Sequence, residues 1–252
     1  MSKNFELLQK LGKEQDLLIP TASGNGHGTL PPASVDASAA SPVMKPGLEE
    51  IHSFVQQVFL VAGGAVPRSV VFTSSEPGTG CSWVTAHTAQ VLAGRTAGSV
   101  CVVDANLRAP GLDRQFAIEN GHGLAEALQQ PDPIRGLLRA TALPNLFVIT
   151  AGQAREESQA LVASDRMRIR LHELRSEFDF VLIDAAALSV AGDAIAAGSF
   201  ADGVVLVLKA NASRKETARQ AVQDLQSGNA KVLGAVLNQR QFPIPEALYK
   251  RL

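Results

Sequence analysis

SVVFTSSEPGTGCSWVTAHTAQVLA, residues 69–93, runs an apolar β-type segment into a Gly/Pro-rich turn and then into a helix-length segment without a gap. That order is the order of a phosphate loop. In such a loop the backbone N–H groups and the positive end of the following helix face an anion, so small residues crowd the turn. The full pattern is G-x-x-x-x-G-K-[ST], with Lys reaching the β and γ phosphates and Ser/Thr on Mg²⁺. Ser75-Glu76-Pro77-Gly78-Thr79-Gly80-Cys81-Ser82 keeps the second Gly and the Ser, but places Ser75 at the first Gly and Cys81 at the Lys. Taken alone, the stretch fits a plain strand-turn-helix corner equally well.

Working outward, the chain alternates short apolar runs with helix-length segments from Leu48 onward. Strands are expected at Ser69–Thr73, Ser99–Val103, Leu146–Thr150, Phe178–Ile183, Gly203–Leu208 and Lys231–Leu237. Their apolar runs are nearly continuous, the signature of strands covered on both faces. Helices are expected at Leu48–Leu60, Ser82–Thr96, Gly123–Gln129, Glu157–Ser176, Ser189–Ser199 and Arg214–Gln226, the last opening on a capping-box spacing of Ser213 and Glu216. Repeated strand-helix-strand units require right-handed crossovers. The expectation is an α/β fold in three layers, an open, mostly parallel sheet with helices on both faces.

Ligands of such sheets sit at the carboxyl ends of the strands. The turn 74–82, Asp104 after VCVVD and Asp184 after FDFVLID all fall there. An acid at a strand end can hold Mg²⁺, directly or through water, or take a proton. A single Asp serves as readily to cap a helix or close a turn; two of them flanking a phosphate loop favour the functional reading.

Length and composition set wider bounds. A chain of 252 residues with 46% hydrophobic content can bury one large core. Net charge −1 and pI about 6.5 give no overall basic footprint, and no nucleic-acid partner is expected. Cys81 and Cys101 are the only cysteines, which suits a reducing, cytoplasmic setting. No apolar run reaches the roughly 18 residues that span a bilayer. Any membrane association would therefore be peripheral or through a partner.

Four segments are read: residues 1–18, a short amphipathic helix with Phe5, Leu8 and Leu11 on one face; 19–47, a Pro/Ser/Ala/Gly-rich disordered linker; 48–240, the α/β domain with the phosphate-loop-like turn; and 241–252, a C-terminal tail. The helix is either a frayed terminus or a docking element for a partner. At the start of the 82–96 helix, unpaired N–H groups would favour a thiolate at Cys81, with burial opposing.

From Leu48 to Asn238 the residues resemble the bacterial tyrosine kinases of capsule and exopolysaccharide synthesis, a branch of the phosphate-loop (P-loop) NTPases that also holds the partitioning and division-site ATPases. The resemblance rests on the loop before Ser82, VVDANLRAP, PGLDRQF, GLAEAL, ITAG, FDFVLID, and ADGVVLVL through VLGAVLN, in that order. It implies an ATP–Mg²⁺ domain that phosphorylates tyrosines in its own tail and acts with a membrane-embedded polysaccharide co-polymerase or chain-length regulator. Self-association is a further implication. By position, Gly78, Thr79, Gly80, Cys81 and Ser82 would surround the phosphates, with Ser82 on Mg²⁺. Asp104 would orient or deprotonate the attacking hydroxyl and join Ser82 and Asp184 as a metal residue, with Asp184 holding Mg²⁺ through water. Asn238 falls where relatives contact adenine, or is a strand-end turn residue.

The departures touch every part of that scheme. Cys81 replaces Lys, Asn106 replaces Asp, and Ala185–Ala187 replace Thr-Pro-Pro. The Glu-x-x-Arg-x-x-Arg assembly helix is reduced to Glu49, His52 and Val55, and Tyr249 is the only tyrosine. A hydrogen bond to a charged group contributes roughly 1.5–3 kcal/mol, so loss of the Lys contact would weaken ATP binding by about one to two decades. Loss of one preorganised donor commonly costs about 10²–10³ in rate. The expected outcome is a degenerate, regulatory or scaffolding relative with weak or absent turnover. The alternatives are an active tyrosine autokinase using a substitute cation such as Arg108, or a partitioning-type ATPase, against which Glu76 stands where those proteins carry an extra loop lysine.

Overall fold

Seven strands form a single sheet in the order β3-β4-β2-β5-β1-β6-β7, parallel throughout except for β3 against β4. The computed structural model describes residues 48–60, 66–130 and 133–239. The 1–18 helix, the 19–47 linker and the 241–252 tail lie outside the described residues. In chain order the elements are α1 (Leu48–Val55), a π turn (Gln56–Leu60), β1 (Ser69–Ser74), α2 (Cys81–Arg95), β2 (Val100–Asp104), α3 (Leu112–Phe116) and α4 (Leu124–Gln129). A 3₁₀ turn (Ile134–Leu137), β3 (Arg139–Ala140), β4 (Leu146–Ile149), α5 (Glu156–Leu161), α6 (Asp165–Glu177) and β5 (Phe180–Asp184) follow. The described chain closes with α7 (Asp193–Phe200), β6 (Gly203–Lys209), α8 (Lys215–Ser227) and β7 (Val232–Asn238).

Alternation along each strand divides the core. Val71, Cys101, Val103, Val181 and Ile183 pack on one face with Leu124, Leu128, Met167, Leu171 and Leu174 of α4 and α6. Val70, Phe72, Val100, Val102 and Leu182 pack on the other with Ile51, Val55, Val84, Ala89 and Leu92 of α1 and α2. Side chains of successive strand residues point to opposite faces, so a continuous apolar run becomes two half-cores. Cutting Phe72, which is fully buried, back to Ala should cost about 3–5 kcal/mol.

The departures from the sequence reading have local causes. The expected 157–176 helix is two helices, because the Ser164 hydroxyl accepts the Arg166 N–H and starts a new one. Phe178 ends α6, its N–H donating to the Leu174 carbonyl, so β5 begins at Phe180. The expected 189–199 helix starts only at Asp193, since Leu188 and Ser189 donate their N–H groups to the Ser74 and Ser75 carbonyls. The Ser213 capping box does not form: the Ser213 hydroxyl accepts the Lys209 N–H in the turn after β6, and α8 starts at Lys215.

Candidate functional site

The loop after β1 is held at its β1 end. Thr73 Oγ1 donates to the Ala186 carbonyl (2.8 Å), Leu188 N–H to the Ser74 carbonyl (2.8 Å) and Ser189 N–H to the Ser75 carbonyl (3.3 Å). Ser74 Oγ donates to the Glu76 carbonyl across the turn. Gly78 and Gly80 have φ of 79° and 81°, the left-handed region that glycine enters without a Cβ penalty, and Gly80 is the N-cap of α2. The first N–H groups of a helix have no intrahelical acceptor, so those of α2 are free for an anion. Ala185–Ala187 are buried and continue β5 alongside the loop.

Two carboxylates lie beneath it. Asp104 and Asp184 are neighbours in register at the ends of β2 and β5, both fully buried. Asp104 Oδ2 accepts the N–H groups of Gly111 and Leu112 (both 2.9 Å), and Oδ1 accepts that of Asn106 (3.2 Å). Both its oxygens are thus engaged in folding the 105–112 segment over the site. Burial pushes its carboxyl up to about 6, against the three N–H groups, with Asp113 adding to the rise. Asp184 is pushed up to about 7 by burial and then by Asp104; Ser82, Cys81 and Thr85 oppose. Thr85 Oγ1 reaches Asp184 Oδ1 at 3.5 Å, while Asp184 Oδ2 has no hydrogen-bond partner among the described residues.

The Cys81 thiol sits beside Asp184. Burial, then the Asp184 charge, raise it well above the ordinary thiol value, so the helix N-terminus does not produce a thiolate here. Desolvation and a neighbouring carboxylate outweigh the helix end. Burial also raises Cys101.

Unpaired buried polar atoms collect at this end of the sheet. Ser75 Oγ, Thr79 Oγ1 and Thr150 Oγ1 join Asp184 Oδ2. Buried polar groups are normally paired, so such a group of orphans marks a place for a polar ligand. Among the described residues no cluster of three or more His, Cys, Asp or Glu could hold a metal unaided. The oxygens of Ser82 and Asp184 suit a hard cation that takes its remaining ligands from phosphate and water, as Mg²⁺ does. The orphaned Asp184 Oδ2 makes the site fit that ion.

Three residues have placements that sequence spacing did not foretell. Gly111 crosses so close to Ser82 that a Cβ there would lie 2.7 Å from Ser82 Oγ. Arg108 donates to Gln159 Oε1 (2.8 Å) and faces Asp193 Oδ2 at 3.6 Å, pairing with neither Asp113 nor the phosphate loop. Asn238 donates to the Thr79 carbonyl (2.8 Å), so this strand-end residue reaches the loop. Thr150 could have been flagged as the strand-end residue of ITAG; Asp193 carries no local signal.

A mostly parallel sheet with a glycine-bounded loop opening a helix, and acids closing β5 beside the loop strand and β2 next to β5, is the P-loop NTPase-like fold. The chain is 32% identical to the tyrosine-protein kinase YwqD of Bacillus subtilis over 175 residues, covering 69% of this chain and 73% of that one. It is 30% identical to the succinoglycan biosynthesis transport protein ExoP of Rhizobium meliloti, covering 69% of this chain but 22% of ExoP. Among solved structures, the chimerical protein CapA2B2 superposes with a TM-score of 0.72 at 25% identity, covering 79% of this chain and 87% of that one. No protein-family model matches. The chain belongs to the bacterial tyrosine-protein kinase family.

Proposed function

We propose that this protein serves exopolysaccharide or capsule synthesis as a tyrosine-kinase-like regulator or scaffold that binds ATP–Mg²⁺ weakly and turns it over slowly or not at all. The observation that carries this reading is the surroundings of Cys81. Where the loop pattern has Lys, a thiol sits beside a buried carboxylate. Arg108, the substitute the sequence offers, is engaged by Asp193 and Gln159. Two buried acids therefore face the phosphate loop without the cation that the pattern supplies.

The N–H groups of Gly78, Thr79, Gly80, Cys81 and Ser82 would hold the phosphates, and Ser82 and Asp184 would hold Mg²⁺. When bound, that ion supplies neutralising charge on the phosphate oxygens. Asp104 would accept a proton from an attacking hydroxyl at Oδ1, which takes only the Asn106 N–H, since Oδ2 already accepts two backbone N–H groups. Asn106 accepts the Ala109 N–H in a turn and adds no charge near the metal.

The polysaccharide setting is supported by the similarity to ExoP, and a membrane-embedded co-polymerase is the partner the family resemblance favours. No helix among the described residues is long and apolar enough to cross a membrane. We assign partner docking to residues 1–18, a tether to 19–47 and a tail carrying Tyr249 to 241–252; deletion of 1–18 should release the protein from membrane fractions.

The deciding experiment is titration of purified protein with fluorescent ATP at millimolar Mg²⁺, alongside intact-mass detection of phosphotyrosine. Weak binding and negligible autophosphorylation are expected, with affinity raised by Cys81→Lys combined with Asn106→Asp. Robust wild-type turnover, lost in Asp104→Ala, would overturn the reading in favour of an active kinase.

A further inference from the structure

We infer that Asn238 and Gln239 are positioning residues that hold the phosphate loop in its anion-binding shape from the end of β7. A loop that aims its N–H groups inward must turn its carbonyls outward, and each outward carbonyl needs a donor to stay there. Asn238 Nδ2 donates to the Thr79 carbonyl at 2.8 Å, and Gln239 Nε2 reaches the Gly78 carbonyl at 3.4 Å. The two carboxamides thus hold consecutive carbonyls between the two left-handed glycines.

The fit is close on the Asn238 side. A Cβ on Gly80 would run into the Asn238 amide nitrogen, whereas a Cβ on Gly78 would meet nothing within 4 Å. Gln239 itself adopts φ 57°, a left-handed conformation uncommon for residues other than glycine, at the point where its side chain turns back onto the loop. A strained backbone is retained where its surroundings over-determine it.

This inference rests on the nucleotide-binding reading, and it differs from an adenine contact in one measurable respect. A residue that acts on the base affects only ligands that have a base; one that shapes the loop affects the phosphates alone. Binding of ADP–Mg²⁺ and of tripolyphosphate–Mg²⁺ should be measured for wild type, Asn238→Ala, Asn238→Asp and Gln239→Ala. Loss of one neutral hydrogen bond predicts that Asn238→Ala weakens both ligands by the same factor, about two- to ten-fold, with Gln239→Ala weaker in effect. Asn238→Asp, which when ionised cannot donate and adds a negative charge beside the loop, should weaken both ligands at least as much as the Ala variant. Loss of ADP binding with unchanged tripolyphosphate binding would overturn the inference.

Hydrogen exchange of the ligand-free protein keeps the two ideas separate. Amides of residues 78–82 should exchange faster in Asn238→Ala, while those of β1, β2 and β5 stay protected and report an intact fold. Unchanged loop exchange overturns the clamp. If wild type binds neither ligand while the loop exchange accelerates, the nucleotide reading falls and the clamp stands.

Discussion

Asp104 and Asp184 stand side by side at the ends of β2 and β5, both fully buried, with no ammonium group between them and the phosphate loop at position 81. Their carboxyls are raised to about 6 and about 7, chiefly by burial. In the unfolded chain both return to the ordinary carboxylate range. Between those values the folded state holds more protons than the unfolded one, so the ligand-free protein gains stability as pH falls through 7 and 6, and the gain is complete below the unfolded value. Asp179 and Asp202, whose values are lowered, act in the opposite sense once pH drops into the carboxylate range. Thermal melts from pH 8 to 4.5 should therefore show Tm rising on mild acidification and turning down near the low end. A Tm that falls steadily from pH 8 would contradict this.

Cys81→Lys supplies the missing cation to the same pair. An ammonium beside Asp184 stabilises both charged carboxylates, so the acid-side rise in Tm should flatten, and ATP affinity should increase by about one to two decades. The converse change tests the thiol: Asp184→Asn leaves the burial that chiefly raises Cys81 but removes the negative charge that adds to it, so iodoacetamide labelling of Cys81 should accelerate while that of Cys101, fully buried in β2, stays slow. Peptide mass spectrometry over a pH series reads both rates.

The glycines separate backbone strain from crowding. Gly78→Ala places its methyl in open space but at φ 79°, so its effect should be limited to about 1–2 kcal/mol of conformational cost. Gly111→Ala adopts an ordinary φ but drives a Cβ against Ser82 Oγ and Cβ. It must displace either Ser82 or the segment pinned by Asp104. Both variants should weaken ATP binding, but only Gly111→Ala should also reduce the dependence of that binding on Mg²⁺. Isothermal titration with and without the metal distinguishes them.

Six of the seven strands were legible because strands covered on both faces are written as unbroken apolar runs, while the two-residue edge strand β3 leaves no such run; the loop was legible because small residues crowd its turn. Asp104 and Asp184 were legible as strand-end acids. What the sequence withheld is contact between distant segments: Asp104 gripping the N–H groups of Gly111 and Leu112, Asn238 reaching the Thr79 carbonyl, and Leu188 and Ser189 paired with the loop. Ser164 and Ser213 show the same limit at short range. Both have hydroxyls placed to cap a helix, and only Ser164 does so, because Ser213 is taken by Lys209.

Arg108 provides the sharpest division between a degenerate and an active site. Its guanidinium faces Asp193 at 3.6 Å and donates to Gln159, tying the segment after β2 to α7 and α5. Asp193 is raised by burial, with Arg108 opposing, so Arg108→Ala should raise it further and leave a largely buried acid without its partner. The Arg side chain is itself partly exposed, and the stability loss should stay near 0.5–1 kcal/mol. If Arg108 serves only this tie, ATP affinity in Arg108→Ala should remain within about two-fold of wild type, since no charge-assisted contact to phosphate is lost. A fall of about ten-fold or more, with the melting temperature little changed, would make Arg108 the substitute for the missing loop lysine. Equilibrium binding and thermal melts on the same two proteins read both quantities.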